Sequence, residues 1–230
     1  MKKHFKKIIL ALFVVCVGLG MYSYHYLTEY YVADSSVYEV YENVEYEVID
    51  NLTILYAEDG GDTGIIFYPG AKVEAIAYLP ILEKLVNKGY TCVLVDMPFH
   101  MAIFDVDAAD DVFELDLDID SWYIAGHSMG GSIASSYAAD HQDLIDGAIM
   151  LGAYVYGDYP IENTITIYGS LNDNLEDKID YTENIYIIEG GNHAQFGNYG
   201  FQDGDKEATI SSDKQQNIAV DYIDDFITNR

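Results

Sequence analysis

The sequence predicts an α/β fold built on a mainly parallel sheet, and three observations carry that expectation. Short continuous apolar runs, from Gly64 to Gly70, Thr91 to Asp96 and Trp122 to Ala125, read as strands buried on both faces. Helical patterns separate them, as between Val73 and Asn87, where Ile76, Leu79, Leu82, Leu85 and Val86 recur at helical spacing and Gly89 is placed to end the helix. One apolar run breaks at once into Gly126-His127-Ser128-Met129-Gly130 and then into another helical pattern, so strand, sharp turn and helix follow each other without a linker.

The chain opens with Lys2, Lys3, Lys6 and Lys7, then an uncharged stretch from Ile8 to Met21, then Tyr22, Tyr24, Tyr26 and Leu27. Ile8 through Leu27 amounts to about 20 mostly apolar residues, enough to span a bilayer, with tyrosines where an aromatic belt sits. No Ala-x-Ala-like cleavage site follows, so residues 1–27 are expected to be an uncleaved signal-anchor, a transmembrane helix; secretion after signal cleavage is the alternative. Phe13-Val14-Val15 before Cys16 lacks the small residue that precedes a lipidated cysteine. The lysines place the N-terminus in the cytoplasm and everything after residue 28 outside the cell membrane.

Residues 28–36 read as a polar spacer and 37–230 as one domain. Alternation over Val37 to Tyr46 and Leu52 to Tyr56 suggests two antiparallel strands ahead of the parallel sheet. An acidic, helical stretch is expected from Asp105 to Leu115, a helix from Ser132 to Ala139, and strands at Ala148 to Leu151, Thr164 to Tyr168 and Ile185 to Ile188. A final amphipathic helix runs through Ile218, Val220, Tyr222, Ile223, Phe226 and Ile227.

Charge excludes some functions. The 11 Lys+Arg against 39 Asp+Glu give a net charge of −28, and no acid precedes Glu29, so the part beyond the anchor is more acidic still. Nucleic acid and electrostatic adhesion to anionic lipid are therefore not expected as partners. Asp107, Asp110, Asp111, Glu114, Asp116, Asp118 and Asp120 read as a solvated face, and no His, Cys and carboxylate cluster has zinc spacing; no metal and no cofactor is expected. Cys16 lies in the apolar segment and Cys92 in a strand, so the domain depends on its core and not on disulfides.

The turn at Ser128 gives the chemistry. It lifts one hydroxyl clear of the sheet with the Met129 N–H free for an oxyanion, and side chains at Gly126 or Gly130 would collide where the backbones meet. A serine needs a histidine to take its proton and a third group to hold the correct tautomer. The strand ending at Tyr168 opens into Gly169-Ser170-Leu171-Asn172-Asp173, and that ending at Ile188 into Glu189-Gly190-Gly191-Asn192-His193. Both loops leave the sheet end where Ser128 lies, the end at which ligands bind in open α/β sheets, in the chain order Ser, acid, His.

These segments, with Phe67-Tyr68-Pro69-Gly70-Ala71-Lys72-Val73-Glu74, Asp96-Met97-Pro98-Phe99 and His193-Ala194-Gln195-Phe196-Gly197, resemble a compact bacterial branch of the α/β-hydrolase superfamily from about Gly64 to the C-terminus. The resemblance implies an α/β-hydrolase fold and a serine hydrolase of the carboxylesterase kind. Ser128 is then the nucleophile, His193 the base, and the oxyanion hole is the N–H of Met129 plus that of Ala71, with Lys72 as the alternative. The family's acid lies three residues after the glycine closing its strand, which here is Asn172, with Asp173 one residue later. A carboxylate stabilises the imidazolium whereas an amide only orients the ring, so Asp173 is the expected acid and Asn172 the alternative.

His127 should point away from the cleft, His141 should be solvated, and His100 reads as a surface-loop residue or a pocket lining. Phe196, Tyr199 and Phe201 read as a pocket wall or as loop packing. Only Gly152 to Asn163 separate two strands where a lid is commonly inserted, so no large lid is expected and the cleft should admit a small-molecule or acylated substrate. A non-catalytic surface binding protein on the same fold, or a peptidase or thioesterase using the same residues, are the rival readings.

Overall fold

Successive residues of the central strands point to opposite faces, and that alternation gives one sheet two hydrophobic cores. A computed structural model describes residues 2–58, 61–115, 117–173 and 175–229. Eight strands are present among them: β1 (Tyr46–Ile49), β2 (Leu52–Leu55), β3 (Thr63–Tyr68), β4 (Thr91–Val95), β5 (Ser121–His127), β6 (Gly147–Leu151), β7 (Thr164–Gly169) and β8 (Ile185–Ile188). They lie in the order β1-β2-β4-β3-β5-β6-β7-β8, with β1 and β2 antiparallel and all pairings from β4 onward parallel.

On one face Ile65, Phe67, Cys92, Leu94, Ile149 and Leu151 pack with helices α3 (Leu79–Val86) and α6 (Ser212–Thr228), through Leu79, Leu82, Ala219, Val220 and Ile223. On the other, Ile66, Tyr68, Val93, Val95 and Ile124 pack with α5 (Met129–Asp140) through Ala134, Tyr137 and Ala138. Burying each of these large aliphatic side chains is worth about 1.5–3 kcal/mol, so the fold is carried by the two cores. The crossovers change face around β3 and β5, and the crevice this creates opens at the C-terminal ends of the strands.

Three expectations are corrected. Val37 to Tyr46 is not a strand: Ser35–Glu39 is a 3₁₀ turn and Val40–Asn43 a helical turn, α2, and only Tyr46–Ile49 pairs. Asp34 caps the first turn by accepting from Ser36 N–H, and the three-residue spacing of Val37 and Val40 puts both valines inside. The acidic stretch is helical only over α4 (Asp110–Phe113), because Asp105, Asp107, Asp110, Asp111 and Glu114 repel one another within a few turns. The helix expected from Val73 begins as an α-helix only at Leu79, after a 3₁₀ turn over Ala75–Tyr78. Pro80 has no N–H for an intrahelical bond, so it is accommodated in the first turn.

The N-terminal helix α1 (Lys2–Thr28) belongs to a separate compact unit, Met1–Tyr30. Its Phe5–Thr28 part is 24 residues long, about 36 Å, and is apolar enough to cross a membrane, as a spanning helix or a signal sequence would be.

Residues 31–34 open the second unit, Tyr31–Arg230, as a strap bonded to its loops. Tyr31 bridges Val73 in parallel, its N–H donates to Lys72 C=O at 2.7 Å, and Glu74 N–H donates to Tyr31 C=O at 2.9 Å. Ala33 N–H reaches the Glu74 carboxylate at 2.8 Å, and Asp34 N–H reaches Asn198 C=O at 2.7 Å. A chain starting at residue 37 loses these bonds and one starting at residue 29 keeps them. Urea unfolding should find the shorter form less stable by about 2–4 kcal/mol, at about 1 kcal/mol per bond lost; equal midpoints would show that the strap contributes nothing.

Candidate active site

Ser128 stands between β5 and α5 with φ 54° and ψ −125°, a backbone that an L-residue adopts only where its surroundings hold it. The glycines around it explain how. A methyl group on Gly126 would come within 2.6 Å of Gly130 carbon and Gly131 nitrogen, and one on Gly130 would run into the carbonyl oxygens of Tyr68 and Pro69. Strand, turn and helix therefore pass at backbone contact. Ser128 N–H donates to Leu151 C=O at 3.0 Å, leaving its side chain to the cleft, while Met129 is the first residue of the helix, where N–H groups have no intrahelical partner.

His193 is fixed by its neighbours' backbone. The buried Gln215 side chain of α6 accepts from Asn192 N–H at 3.0 Å and donates to Asn192 C=O at 2.9 Å, and Asn192 donates its amide to Lys206 C=O at 2.8 Å. The Asp205 carboxylate accepts from Ala194 N–H at 2.8 Å and His193 N–H at 3.3 Å. Burial pushes the His193 imidazole below its ordinary pKa; the Asp205 charge opposes that shift and Lys178 reinforces it.

The structure brings His193 to Asn172 and not to Asp173. Asn172 Nδ2 lies 3.1 Å from His193 Nδ1, whereas Asp173 points outward and pairs with Lys206 Nζ at 2.6 Å, both side chains being more than half exposed. Leu171 N–H binds Gly191 C=O and Asn172 N–H binds Gly169 C=O, each at 2.9 Å, so the loop has no extra residue that would swing Asp173 inward. An amide and an imidazole can meet in two ways. With Nδ2 facing the ring, Nδ1 accepts and the ring proton is on Nε2; with the amide turned over, Oδ1 accepts from Nδ1–H and Nε2 is free to take a proton.

His127 has a position that sequence reasoning did not find. It is buried under His193, with ring centroids 4.6 Å apart, and its Nε2 lies 2.9 Å from His193 C=O. A carbonyl only accepts, so Nε2 carries the proton. Burial, and then the neighbouring His193, push its pKa well down, so His127 is neutral and Nδ1 accepts from Tyr78 Oη–H at 2.8 Å. The same Tyr78 oxygen accepts from Gly70 N–H at 3.1 Å. A continuous chain thus runs from the loop after β3 to the backbone of His193.

In that loop Gly70 N–H is used by Tyr78, Lys72 N–H donates to His100 C=O at 2.7 Å, and Val73 N–H donates to Gly70 C=O at 3.3 Å. Lys72 has φ 60°, which turns the chain back after Ala71. Ala71 keeps the N–H that these bonds do not use.

Ser128, Met129, Asn172 and His193 open on one cleft of about 800 Å³, shared with Tyr154 and Lys178. Gly152 (φ 55°) passes below it, where a methyl group would meet His193 Nδ1 at 3.0 Å. His100 lies elsewhere, 3.8 Å from the Asp96 carboxylate and against a smaller cavity. Phe196 and Tyr199 are buried and pack the histidine loop, while Phe201 is exposed; none of the three lines the cleft. Among the described residues no group of three or more His, Cys, Asp or Glu is placed to hold a metal ion.

Tyr78→Phe removes one oxygen that serves two buried partners, Gly70 N–H and His127 Nδ1. The expected cost is about 1–3 kcal/mol in urea unfolding; a variant as stable as the parent would mean that the chain of bonds contributes nothing to holding the two loops.

A family model described as "Alpha/beta hydrolase family" matches residues 64–217. No curated protein matches the chain in sequence. Among solved structures, a ferulic acid esterase from Streptomyces cinnamoneus is similar at TM-score 0.55 and 17% identity, over 74% of this chain and 67% of that one. Est1E from Butyrivibrio proteoclasticus is similar at TM-score 0.54 and 14% identity, over 80% and 99%. A monoglyceride lipase from Saccharomyces cerevisiae is similar at TM-score 0.53 and 12% identity, over 81% and 94%. At these identities the structures speak for the fold alone. The match of the family model over most of the strand-turn-helix frame shows that this chain belongs to the alpha/beta hydrolase family.

Proposed function

We propose that this hydrolase cleaves an ester or similar acyl bond of a small-molecule or acylated substrate through an acyl-enzyme on Ser128. The observation that carries the reading is the strained Ser128 turn, opening on the same cleft as His193. As Ser128 Oγ bonds to the acyl carbon, its proton passes to His193 Nε2 and the carbonyl electron pair moves onto oxygen. Met129 N–H and Ala71 N–H are the donors for that oxyanion, and each such donor is worth about 10²–10³ in rate. Collapse of the intermediate expels the alcohol with the proton from His193, and water repeats the sequence on the acyl-enzyme.

Asn172 takes the orienting place, in the amide orientation that leaves His193 Nε2 free. The short connection between β6 and β7 leaves the cleft without a large lid, which suits a small or exposed acyl group. The similar structures named for ferulic acid esterase and monoglyceride lipase activity fit an ester substrate. Lys2, Lys3, Lys6 and Lys7 at the start of α1 favour a membrane anchor with the catalytic domain outside. The neutral Asn172 is the one observation favouring the rival, a binding protein that keeps the fold without turnover.

A fluorophosphonate probe should label the full-length chain at Ser128, and Ser128→Ala should abolish labelling and ester hydrolysis while leaving the fold intact. Folded protein that takes no label would favour the binding protein. His193→Ala should lose about 10³-fold or more, whereas Asp173→Asn, which removes only an exposed ion pair, should stay within about threefold of the parent. Because the base acts when neutral and burial sets its pKa below the ordinary 6.5, kcat/KM should rise through a limb below that value and be flat above it. A limb centred above pH 7 would contradict His193 as the base.

A further inference from the structure

We propose that Asp205 is a positioning residue that supplies His193 with the negative charge Asn172 does not bring. The proposal rests on the Ser128–His193 reading. When the Ser128 proton arrives at Nε2 the ring becomes a cation, and an amide at Nδ1 orients that cation without neutralising it. Asp205 lies on the backbone side of the same ring. Its Oδ1 accepts from His193 N–H at 3.3 Å and Lys206 N–H at 2.9 Å, and its Oδ2 from Ala194 N–H at 2.8 Å.

The other charges around the ring do not do this work. Asp173 is paired with Lys206 Nζ, His127 below is neutral, Lys178 is a cation that opposes a second one, and Asp203 is a further acid on the cleft rim. Among the described residues no lysine or arginine side chain pairs with Asp205, so its charge is not cancelled locally. Asp205 is also the acid whose field raises the His193 pKa. No proton moves to Asp205 at any step; its carboxylate, held by the N–H groups of His193 and Ala194 at the edge of the cleft, lowers the energy of the ring cation through its charge.

The test is the pH dependence of fluorophosphonate inactivation of the full-length chain in detergent, read for the parent, Asp205→Asn, Asp205→Glu, Asn172→Asp and the double variant Asn172→Asp/Asp205→Asn. Asp205→Asn keeps the shape and loses the charge, so its acid limb should move about half a unit or more to lower pH and its plateau rate fall about tenfold. Asp205→Glu keeps the charge and alters the fit, so its limb should stay in place. With a carboxylate at position 172, the Asp205→Asn loss should shrink to within about threefold.

A limb that Asp205→Asn leaves unmoved, or an equal loss in both backgrounds, would reduce Asp205 to a cap on the loop and overturn the proposal. Should Asp205→Asn fail to fold, a limb that moves in Asp205→Glu overturns it and a limb that stays supports it. Absence of any labelling in the parent is a different result: it removes the hydrolase reading and the role of Asp205 in it together.

Discussion

The loop after β3 and the loop that bears His193 are connected by one buried neutral imidazole. His127 is the last residue of β5, where the strand turns into Ser128, so its place is set by the same turn that raises the proposed nucleophile. From there it donates to the carbonyl of His193 and accepts from Tyr78, which in turn accepts from Gly70. Each bond fixes the next donor. A carbonyl at one end and an N–H at the other allow only one arrangement of protons along the chain, provided His127 stays uncharged, and its burial ensures that. The position of His193 and that of the loop after β3 are thus not independent.

The same economy appears in how loops without regular structure are held. The histidine loop is fastened by Gln215, Asn192 and Asp205 to backbone groups, and the loop after β3 by His100 and by the strap from Tyr31. Phe196 and Tyr199 pack the histidine loop into the core, and polar side chains whose partners are backbone groups hold the rest, each leaving a costly orphan if removed. The strap extends this to the segment just after the proposed anchor, which has its own bonds to the oxyanion loop.

The charge distribution has two scales. At the surface a net charge of −28 favours solvation and repels polyanions. Within the cleft the balance is nearly local: an exposed Asp173–Lys206 pair, a lysine near the base, and a carboxylate held behind it. The pKa of His193 is set by burial first and then by Asp205 and Lys178, and hardly by the distant acids, because screening removes charges beyond about 10 Å.

Much of the frame was legible in the sequence, since buried strands are continuous apolar runs and a glycine pair around a serine has few uses other than a tight turn. The Ser128 turn follows from that pattern and the fold from the alternation of strands and helices, while His193 and the Ala71 loop were expected from loop position and the family resemblance. Val37 to Tyr46 was misread because a short segment can satisfy a period of two and a spacing of three, and only the cap at Asp34 and the pocket for Val37 and Val40 decide between them. Asp173 was the expected acid with Asn172 as the alternative, and it is Asn172 that faces His193, for a related reason. Asn172 and Asp173 are adjacent, and chemistry argued for the carboxylate, but neighbouring residues of a turn point in different directions. Two backbone hydrogen bonds at 2.9 Å turn Asn172 inward and leave Asp173 to Lys206. Tyr78 and Asp205 belong to no motif, and the serine motif that contains His127 does not reveal its partners, since these contacts reach across 49, 8 and 12 residues of chain. The sequence by itself determined the sheet and the serine turn, because each depends on local pattern; which side chain meets His193, and which charge stands behind it, depends on where distant loops close, and only the tertiary structure decided that.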